Sequence, residues 1–134
     1  MDQFVPVKKL SKNLKYTDFT DGGSTAGTYT FTASDGLFPP NTIVLGWVAE
    51  VVTGFTGDTS CTMQIGDSGG AGDYSTTTGG SVYTSLTRIG SFTVVATAHS
   101  GSDAIGAKVT LTSNADFTSI TAGEMNVHIY YLPM

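Results

Sequence analysis

The chain has 134 residues, a formal net charge of −5, 13% charged residues and 17 glycines. This length predicts one domain, and low charge with abundant Gly, Ser and Thr favours short β-strands over helices. A membrane-spanning helix is not expected, because the chain has no apolar run of about 18 residues, and binding of nucleic acid across an acidic body is disfavoured.

The first 24 residues are predicted to form an extended N-terminal arm, ahead of a domain over residues 25–134. The arm contains four of the six basic residues of the chain, namely Lys8, Lys9, Lys12 and Lys15. It also holds too many large apolar residues for a disordered tail, so we expect it to lie along its own domain or a partner. A basic arm on an acidic body favours an acidic neighbour, and we predict that these lysines contact an acidic partner or a neighbouring copy of the chain. The basic residues follow a short apolar start, the reverse of a secretory signal, which predicts synthesis without secretion.

A strand from Gly27 to Ala33 is followed by the most apolar part of the chain, residues 40–67, which is predicted to be a β-hairpin with its link at Gly54–Asp58. Side chains alternate with a period of two in both of its strands. The inward set is Ile43, Leu45, Trp47, Ala49 and Val51 in the first strand, and Cys61, Met63 and Ile65 in the second.

The other face of the first strand of this hairpin carries Glu50 beside three valines, Val44, Val48 and Val52. This face is too apolar for free exposure, so we predict that the three valines lie in an oligomer interface or under a cover from the arm. The simpler alternative is partial exposure near the end of the strand.

Residues 66–80 form a Gly-rich stretch without apolar periodicity, which is typical of a functional or mobile loop. Alternating patterns then predict strands over residues 82–86, 91–98, 107–113 and 124–132. In the last strand Tyr131 faces inward while Tyr130 and His128 face outward. Because aromatic residues on both faces suit a strand buried on both sides, Tyr130 is a further candidate for an oligomer interface, where His128 would add pH sensitivity. Together these strands predict an all-β fold, an antiparallel two-sheet β-sandwich (jelly-roll-like) with an extended N-terminal arm.

Three features suggest chemistry, and each has a simpler explanation. The sequence GDSGG at residues 66–70 resembles the nucleophile segment of chymotrypsin-like proteases, but His99 follows Ser68 here whereas the order in that family is reversed. Cys61 lies on an inward face and is expected to be a buried small hydrophobe. The carboxylates considered as a cation site are Asp58, Asp67 and Asp73, which we expect to be solvated loop residues. We therefore predict no catalysis, no metal and no cofactor.

The order of several segments resembles that of small virion proteins of tailed bacteriophages, the capsid decoration or cement proteins. The segments are residues 37–57 (LFPPNTIVLGWVAEVVTGFTG), 62–67 (TMQIGD), 79–83 (GGSVY), 108–112 (KVTLT) and 122–130 (AGEMNVHIY). The resemblance covers residues 28 to 132 and excludes the arm. It implies a β-sandwich that assembles, often as trimers, on the outside of the capsid and bridges neighbouring capsomers.

Two hypotheses follow. The first is a non-enzymatic decoration protein whose partners are the major capsid protein and its own copies in a homotrimer, located on the capsid surface after synthesis in the host cytoplasm. Under this hypothesis, the arm contacts the capsid or a neighbouring subunit through Lys8, Lys9, Lys12 and Lys15. Deletion of residues 1–20 then abolishes capsid binding and leaves a folded body. The alternative is a carbohydrate- or receptor-binding β-module of a phage fibre or spike, which would use the Gly66–Gly80 loop with Tyr74 and Tyr83.

Overall fold

The computed structural model describes residues 7–66, 80–91 and 104–133, which form an all-β sandwich of two antiparallel sheets. The strands are β1 (Lys8–Lys15), β2 (Thr20–Asp21), β3 (Ala26–Thr30), β4 (Thr42–Thr56), β5 (Cys61–Gly66), β6 (Gly80–Ser81), β7 (Thr87–Ser91), β8 (Lys108–Ser113) and β9 (Ala122–Pro133), with 3-10 helices at Tyr16–Asp18 and Phe117–Ser119. The four-stranded sheet has the order β1-β9-β4-β7, and the five-stranded sheet has the order β2-β3-β8-β5-β6. The predicted β-sandwich is confirmed.

The described part of the predicted arm contributes an edge strand to the four-stranded sheet. All of β1 pairs with β9 in antiparallel register, from Lys8 opposite Tyr131 to Lys15 opposite Glu124. On its inner face Leu10 and Leu14 are buried in the core. The residues from Lys8 onward therefore belong to the sandwich, and the predicted boundary at residue 24 falls between its second and third strands.

The two apolar strands of the central region do not form the predicted hairpin. β4 is hydrogen-bonded to β9 and β7, whereas β5 is hydrogen-bonded to β8 and β6 in the other sheet. Their buried faces meet across the core, with Trp47 of β4 and Met63 of β5 both in the hydrophobic cluster between the sheets. The hairpin prediction is wrong because side-chain alternation identifies the buried face of a strand but not its hydrogen-bonded neighbour.

An irregularity in β4 changes which of its side chains face inward. Its register against β9 shifts between Val44 and Gly46, as at a β-bulge. Val44 is fully buried before the shift, and Trp47, Ala49 and Val51 are buried after it. The predicted inward positions of Ile43 and Leu45 are therefore wrong, since both side chains are only half-buried and lie on the opposite face from Val44.

The remaining strands follow the alternation to different degrees. The predicted strands over residues 27–33, 107–113 and 124–132 correspond to β3, β8 and β9. The predicted strand over residues 82–86 is wrong, because these residues form the turn between β6 and β7. The predicted strand over residues 91–98 lies outside the described residues beyond its first position.

Gly57, in the link between the two sheets, is the glycine at which we expect a marked cost of substitution. Its φ of 124° disfavours other residues, and an added Cβ would lie 2.0 Å from the carbonyl oxygen of Ser119. At Gly23, with φ of 86°, an added Cβ meets no described atom within 4 Å. Gly23→Ala should therefore show the backbone strain alone, about 1 kcal/mol.

Gly57→Ala should lower the free energy of unfolding by about 2 kcal/mol, since overpacking adds to the strain. Urea denaturation of both variants measures the difference. Equal losses at the two positions would contradict the close approach of Gly57 to Ser119.

Candidate protein interaction surface

The four lysines predicted to contact a partner lie on β1, and the structure separates them by face. Lys9 and Lys15 are exposed on the outer face of the four-stranded sheet, and Lys8 is exposed at the start of the strand. Lys12 lies on the inner face between Leu10 and Leu14, and its Nζ is 2.8 Å from Oδ1 of Asp35. Three lysines thus offer their charge to solvent, while the fourth is engaged within the domain.

Asp35 is the centre of a polar cluster that joins the two sheets at this edge. Its side chain is 8% exposed and accepts hydrogen bonds from Lys12, from the Tyr29 hydroxyl and from the backbone N–H of Thr32 at 3.0 Å. The Lys12 ammonium, followed by the Thr32 and Tyr29 donors, holds the pKa of the Asp35 carboxyl well below its usual range. The cluster therefore connects β1 of the four-stranded sheet with β3 and its following loop in the other sheet.

The same lysine affects how the β1 edge meets other chains. An edge strand exposes unpaired backbone groups, and inward-pointing charges are one device that prevents another strand from pairing there. Lys12 occupies such an inward position, with exposed Lys8 and Lys9 nearby. We therefore expect partners to meet this edge through its charged side chains and not by strand addition.

A row of hydrogen-bonded side chains crosses the outer face of the four-stranded sheet, one from each strand. The Nε2–H of His128 on β9 donates to Oε1 of Glu50 on β4 at 2.9 Å, because an ionised carboxylate only accepts. The other ring nitrogen, Nδ1, lies 2.8 Å from the Ser11 hydroxyl on β1. Arg88 on β7 completes the row with its guanidinium 3.3 Å from Oε2 of Glu50.

This row explains the carboxylate among the valines of β4. The hydrogen bond from His128 is the main cause that lowers the pKa of Glu50, and the charge of Arg88 acts in the same direction. The Glu50 carboxylate therefore has a polar partner on each of the two strands that flank β4, His128 on β9 and Arg88 on β7. The row was not predicted from the sequence, because it depends on the order of β1, β9, β4 and β7 in the sheet.

The predicted oligomer-interface residues fall into two groups. Val44 is completely buried in the core, so its prediction as an interface residue is wrong, and the register shift that follows it in β4 is the reason. Val48 and Tyr130 are half-buried on the outer face, and Val52 is 40% exposed. These three positions remain candidates.

The sequence placed Tyr130 on the outer face but did not reveal that three more side chains join it in an outer apolar patch at one end of this face. The patch consists of Ile43, Leu45, Tyr130 and Leu132, all half-buried. Ile43 pairs with Leu132, and Gly46 pairs with Tyr130 directly after the bulge. Gly46 was the signal for this arrangement, since a glycine within a strand often marks a bulge.

At the other end of the face, the turn between β6 and β7 presents Leu86, which is 87% exposed. Leu86 has φ of 58°, a left-handed conformation that is uncommon for residues other than glycine. It lines a groove with Val52, Glu50 and Arg88. Tyr83, in the same turn, is 36% exposed.

The residues considered for catalysis or metal binding have ordinary structural roles where the structure describes them. Cys61 is buried as predicted, and burial raises the pKa of its thiol to about 12. The Asp58 carboxylate accepts the backbone N–H groups of Ala115 at 2.7 Å and Thr59 at 2.8 Å. Among residues 7–66, 80–91 and 104–133, no three metal-ligating side chains are grouped.

Several other predicted features lie outside the described residues. These are Ser68 and the rest of the GDSGG sequence after Gly66, His99, Asp67, Asp73, Tyr74 and the Gly66–Gly80 loop between its end residues. In the part of the chain that is described, no helix has the length and apolar character needed to cross a membrane.

A solved structure with the same fold comes from a phage capsid. A chain in the cyanophage Pam1 capsid asymmetric unit matches with a TM-score of 0.62 and 20% sequence identity, over 96% of this chain and 85% of that chain. At this identity the match establishes a shared fold. No protein-family model and no curated protein sequence matches the chain.

Proposed function

We propose that this protein is a non-enzymatic structural component of a phage virion, which binds the outside of the capsid as a homotrimer and stabilises it by bridging capsomers. The observation that carries the proposal is the fold shared with a chain of the cyanophage Pam1 capsid asymmetric unit, which extends over 96% of this chain. The sequence resemblance to decoration proteins over residues 28 to 132 points to the same function. The proposed location is the capsid surface, reached after synthesis in the host cytoplasm.

The surface chemistry of the described residues is consistent with binding and offers little for catalysis. Two titratable groups on the outer face, Glu50 and His128, are hydrogen-bonded to each other, and Arg88 forms an ion pair with Glu50 in the same row. A group that acts as a general base needs its lone pairs directed at a substrate. Under the proposed function, Glu50 and His128 hold neighbouring strands together and do not act as an acid or a base.

The exposed lysines of β1 are the proposed contact with the major capsid protein. Lys8, Lys9 and Lys15 project into solvent on a chain with a net charge of −5, so they form a local positive edge on an acidic protein. Lys12 has a smaller share in this contact, since it is bound to Asp35. An acidic strip on the shell would complement this edge, and salt would weaken the attraction between the two.

Co-sedimentation with capsids that lack this protein tests the proposal, using shells assembled from the major capsid protein of the phage that encodes it. Wild-type protein should sediment with the shells and raise the temperature at which they disassemble. Simultaneous Lys8→Glu, Lys9→Glu and Lys15→Glu should weaken binding about tenfold or more, with most of the salt dependence lost. The thermal midpoint of the free protein should change little, because the three side chains are exposed.

Lys108→Glu provides a control, since Lys108 lies on the five-stranded sheet. This variant should bind the shells like the wild type. Failure of the wild-type protein to sediment with shells would refute the proposed function, and full binding by the triple variant would refute the role of the β1 lysines alone.

A further inference from the structure

The lysines of β1 differ in the charges that surround them. Lys15 lies directly opposite Glu124 of β9, and its backbone N–H donates to Oδ2 of Asp18 at 2.7 Å. Side chains directly opposite each other in an antiparallel pair are close enough to interact, and opposite charges there attract. The positive charge of Lys15 is therefore offset by two carboxylates at its own end of the strand.

Lys8 and Lys9, at the other end of β1, have no such neighbours. They lie opposite Tyr131 and Tyr130 of β9. Within the described part of the chain, neither ammonium group forms an ion pair with a carboxylate. Because Lys12 is already bound within the domain, the positive charge of β1 that is left unopposed belongs to Lys8 and Lys9.

The two ends of β1 are far enough apart to act as separate charges. Lys9 and Lys15 are six positions apart on the same face of the strand, which corresponds to about 20 Å. At physiological salt, the interaction between exposed charges is screened over about 8 Å. An acidic partner that is attracted to Lys9 therefore gains little from Lys15 and is repelled by Asp18 and Glu124.

Lys8 and Lys9 also point to opposite sides of the strand. Successive side chains alternate in a β-strand, and Leu10 and Leu14, which share the orientation of Lys8, are buried on the inner side. Lys9 is exposed on the outer face, and Lys8 is exposed where the strand begins. Since β1 is the first strand of its sheet, its free edge runs between these two side chains. A partner at this edge can therefore contact one ammonium group on each side.

We propose that the shell meets this protein at the Lys8–Lys9 end of β1, through an acidic surface that places carboxylates on both sides of the strand edge. This inference rests on the proposed function for the identity of the partner, and it adds the chemistry of the partner's surface and the orientation of the bound protein. The end of β1 that carries Lys15 is turned away from the shell, because the acidic surface repels Asp18 and Glu124. Of the three exposed lysines, Lys15 then contributes least to binding.

Charge reversals at single positions test which lysines meet the shell. In co-sedimentation, Lys8→Glu and Lys9→Glu should each weaken binding about three- to fivefold. Lys15→Glu is the matched control, because it makes the same change in net charge on the same strand and face as Lys9→Glu. Its affinity should stay within about twofold of the wild type. An equal loss of affinity in Lys15→Glu and Lys9→Glu would overturn the inference.

The double variant Lys8→Glu with Lys9→Glu tests whether the shell contacts both sides of the edge. Groups that meet separate carboxylates contribute independently, so the loss in the double variant should be the product of the two single losses, about tenfold or more. Wild-type binding by either single variant would show that the shell contacts one side only, which contradicts the proposed arrangement.

Neutral variants control for effects on folding. Lys15→Glu places a carboxylate opposite Glu124, and like charges directly opposite each other destabilise a strand pair. Lys8→Gln, Lys9→Gln and Lys15→Gln remove the charge without this repulsion, and their thermal midpoints should stay close to that of the wild type. The first two should bind shells more weakly than the third. Equal affinities of all three for the shell would overturn the inference.

A soluble acidic peptide separates this inference from the proposed function. In an NMR titration with a poly-glutamate peptide at low salt, the amide resonances of Lys8 and Lys9 should shift more than that of Lys15. Equal shifts at the two ends of β1 would overturn the inference, even for a protein that binds shells. Wild-type protein that does not sediment with shells would refute the proposed function, and the larger shifts at Lys8 and Lys9 would then assign this end to a different acidic partner.

Discussion

Deletion of residues 1–20 is expected to unfold the protein and not to leave a folded body that has lost an arm. The deletion removes all of β1, including buried Leu10 and Leu14, and leaves one side of β9 without its neighbour. It also removes Phe19, whose ring lies 6.1 Å from that of Phe55 in the four-stranded sheet and 6.4 Å from that of Tyr29 in the other sheet. Each large buried side chain contributes about 2–5 kcal/mol, and a whole domain has only about 5–15 kcal/mol of stability.

Circular dichroism with urea denaturation should find no cooperative transition for this deletion. Deletion of residues 1–6 keeps β1 and is the matched control, for which a cooperative transition is expected. On the full chain, Leu14→Ala should cost about 3 kcal/mol, while Lys15→Ala on the exposed face should cost less than about 0.5 kcal/mol. A wild-type midpoint after deletion of residues 1–20 would mean that β1 is an accessory.

This result bears directly on the capsid experiment. The sequence alone suggested the deletion as a test of lysine-mediated binding. In the structure the lysines lie on a strand of the sandwich, so the deletion is expected to unfold the domain, and loss of binding would then say nothing about charge. The charge reversals at Lys8, Lys9 and Lys15 keep the strand and are the informative variants.

Substitution of Asp35 is expected to have the second large effect. Its carboxylate is 8% exposed and accepts from Lys12, Tyr29 and Thr32, so Asp35→Ala leaves several donors near the core without an acceptor. Hydrogen bonds to a charged group contribute about 1.5–3 kcal/mol, and we expect a loss of about 3 kcal/mol at neutral pH for the whole cluster. Asp35→Asn keeps the shape and one acceptor, and should lose about 2 kcal/mol. Urea denaturation at pH about 7 measures both.

The same carboxylate should make the protein sensitive to acid. Because the pKa of Asp35 is lowered from its ordinary value of 3.8 on folding, the unfolded chain binds more protons below that value. The stabilisation is therefore fully present above about pH 5 and is lost as the pH falls through and below 3.8 toward the folded-state pKa. Thermal midpoints should fall less steeply with acid in Asp35→Asn than in the wild type.

Other carboxylates also contribute to the loss of stability in acid. Hydrogen bonds also lower the pKa values of Asp58 and Asp116, so both proteins should lose some stability in acid. Asp116→Asn is a useful control, since its carboxylate bonds only locally to Thr118. If the acid slopes of Asp35→Asn and the wild type were identical, the cluster at Asp35 would not be the main acid-sensitive element.

The variant Lys12→Met tests whether Lys12 and Asp35 act as a pair. It removes the charge and keeps an apolar stem of similar length beside Leu10 and Leu14. A double-mutant cycle with Asp35→Asn should give a substantial coupling energy, since the two groups are 2.8 Å apart. If the losses of unfolding free energy in the two single variants simply added in the double variant, the polar cluster would not connect β1 to the other sheet through this pair.

Side-chain alternation was sufficient for the strands that are regular and buried on one face. In β5, Cys61, Met63 and Ile65 alternate with polar residues and are all completely buried, and β9 behaves in the same way. Burial of one face is a local requirement that each strand satisfies independently, so a sequence pattern records it. The all-β class and the inward faces of these strands follow from it.

Side-chain alternation did not predict the buried positions correctly at the bulge in β4 or in the edge strand β1. In β4 the bulge moves Val44 inward and Leu45 outward, although both are apolar and either arrangement fits the sequence. In β1 the inward positions include Lys12, whose charge becomes acceptable only beside Asp35. The sequence contains both residues of this pair but gives no sign that they meet.

Some properties of the candidate interaction surface therefore follow from the sequence, and others follow only from the tertiary structure. The sequence by itself determined an acidic, all-β protein with its lysines concentrated near the N-terminus, because composition and period-two burial are properties of each segment alone. Only the tertiary structure decided that these lysines lie on an edge strand, that Ser11, His128, Glu50 and Arg88 form one row, and that Leu86 and the outer apolar patch share a face. These features depend on which strands are neighbours, and sheet order is set by contacts between residues as distant in the chain as Lys8 and Tyr131.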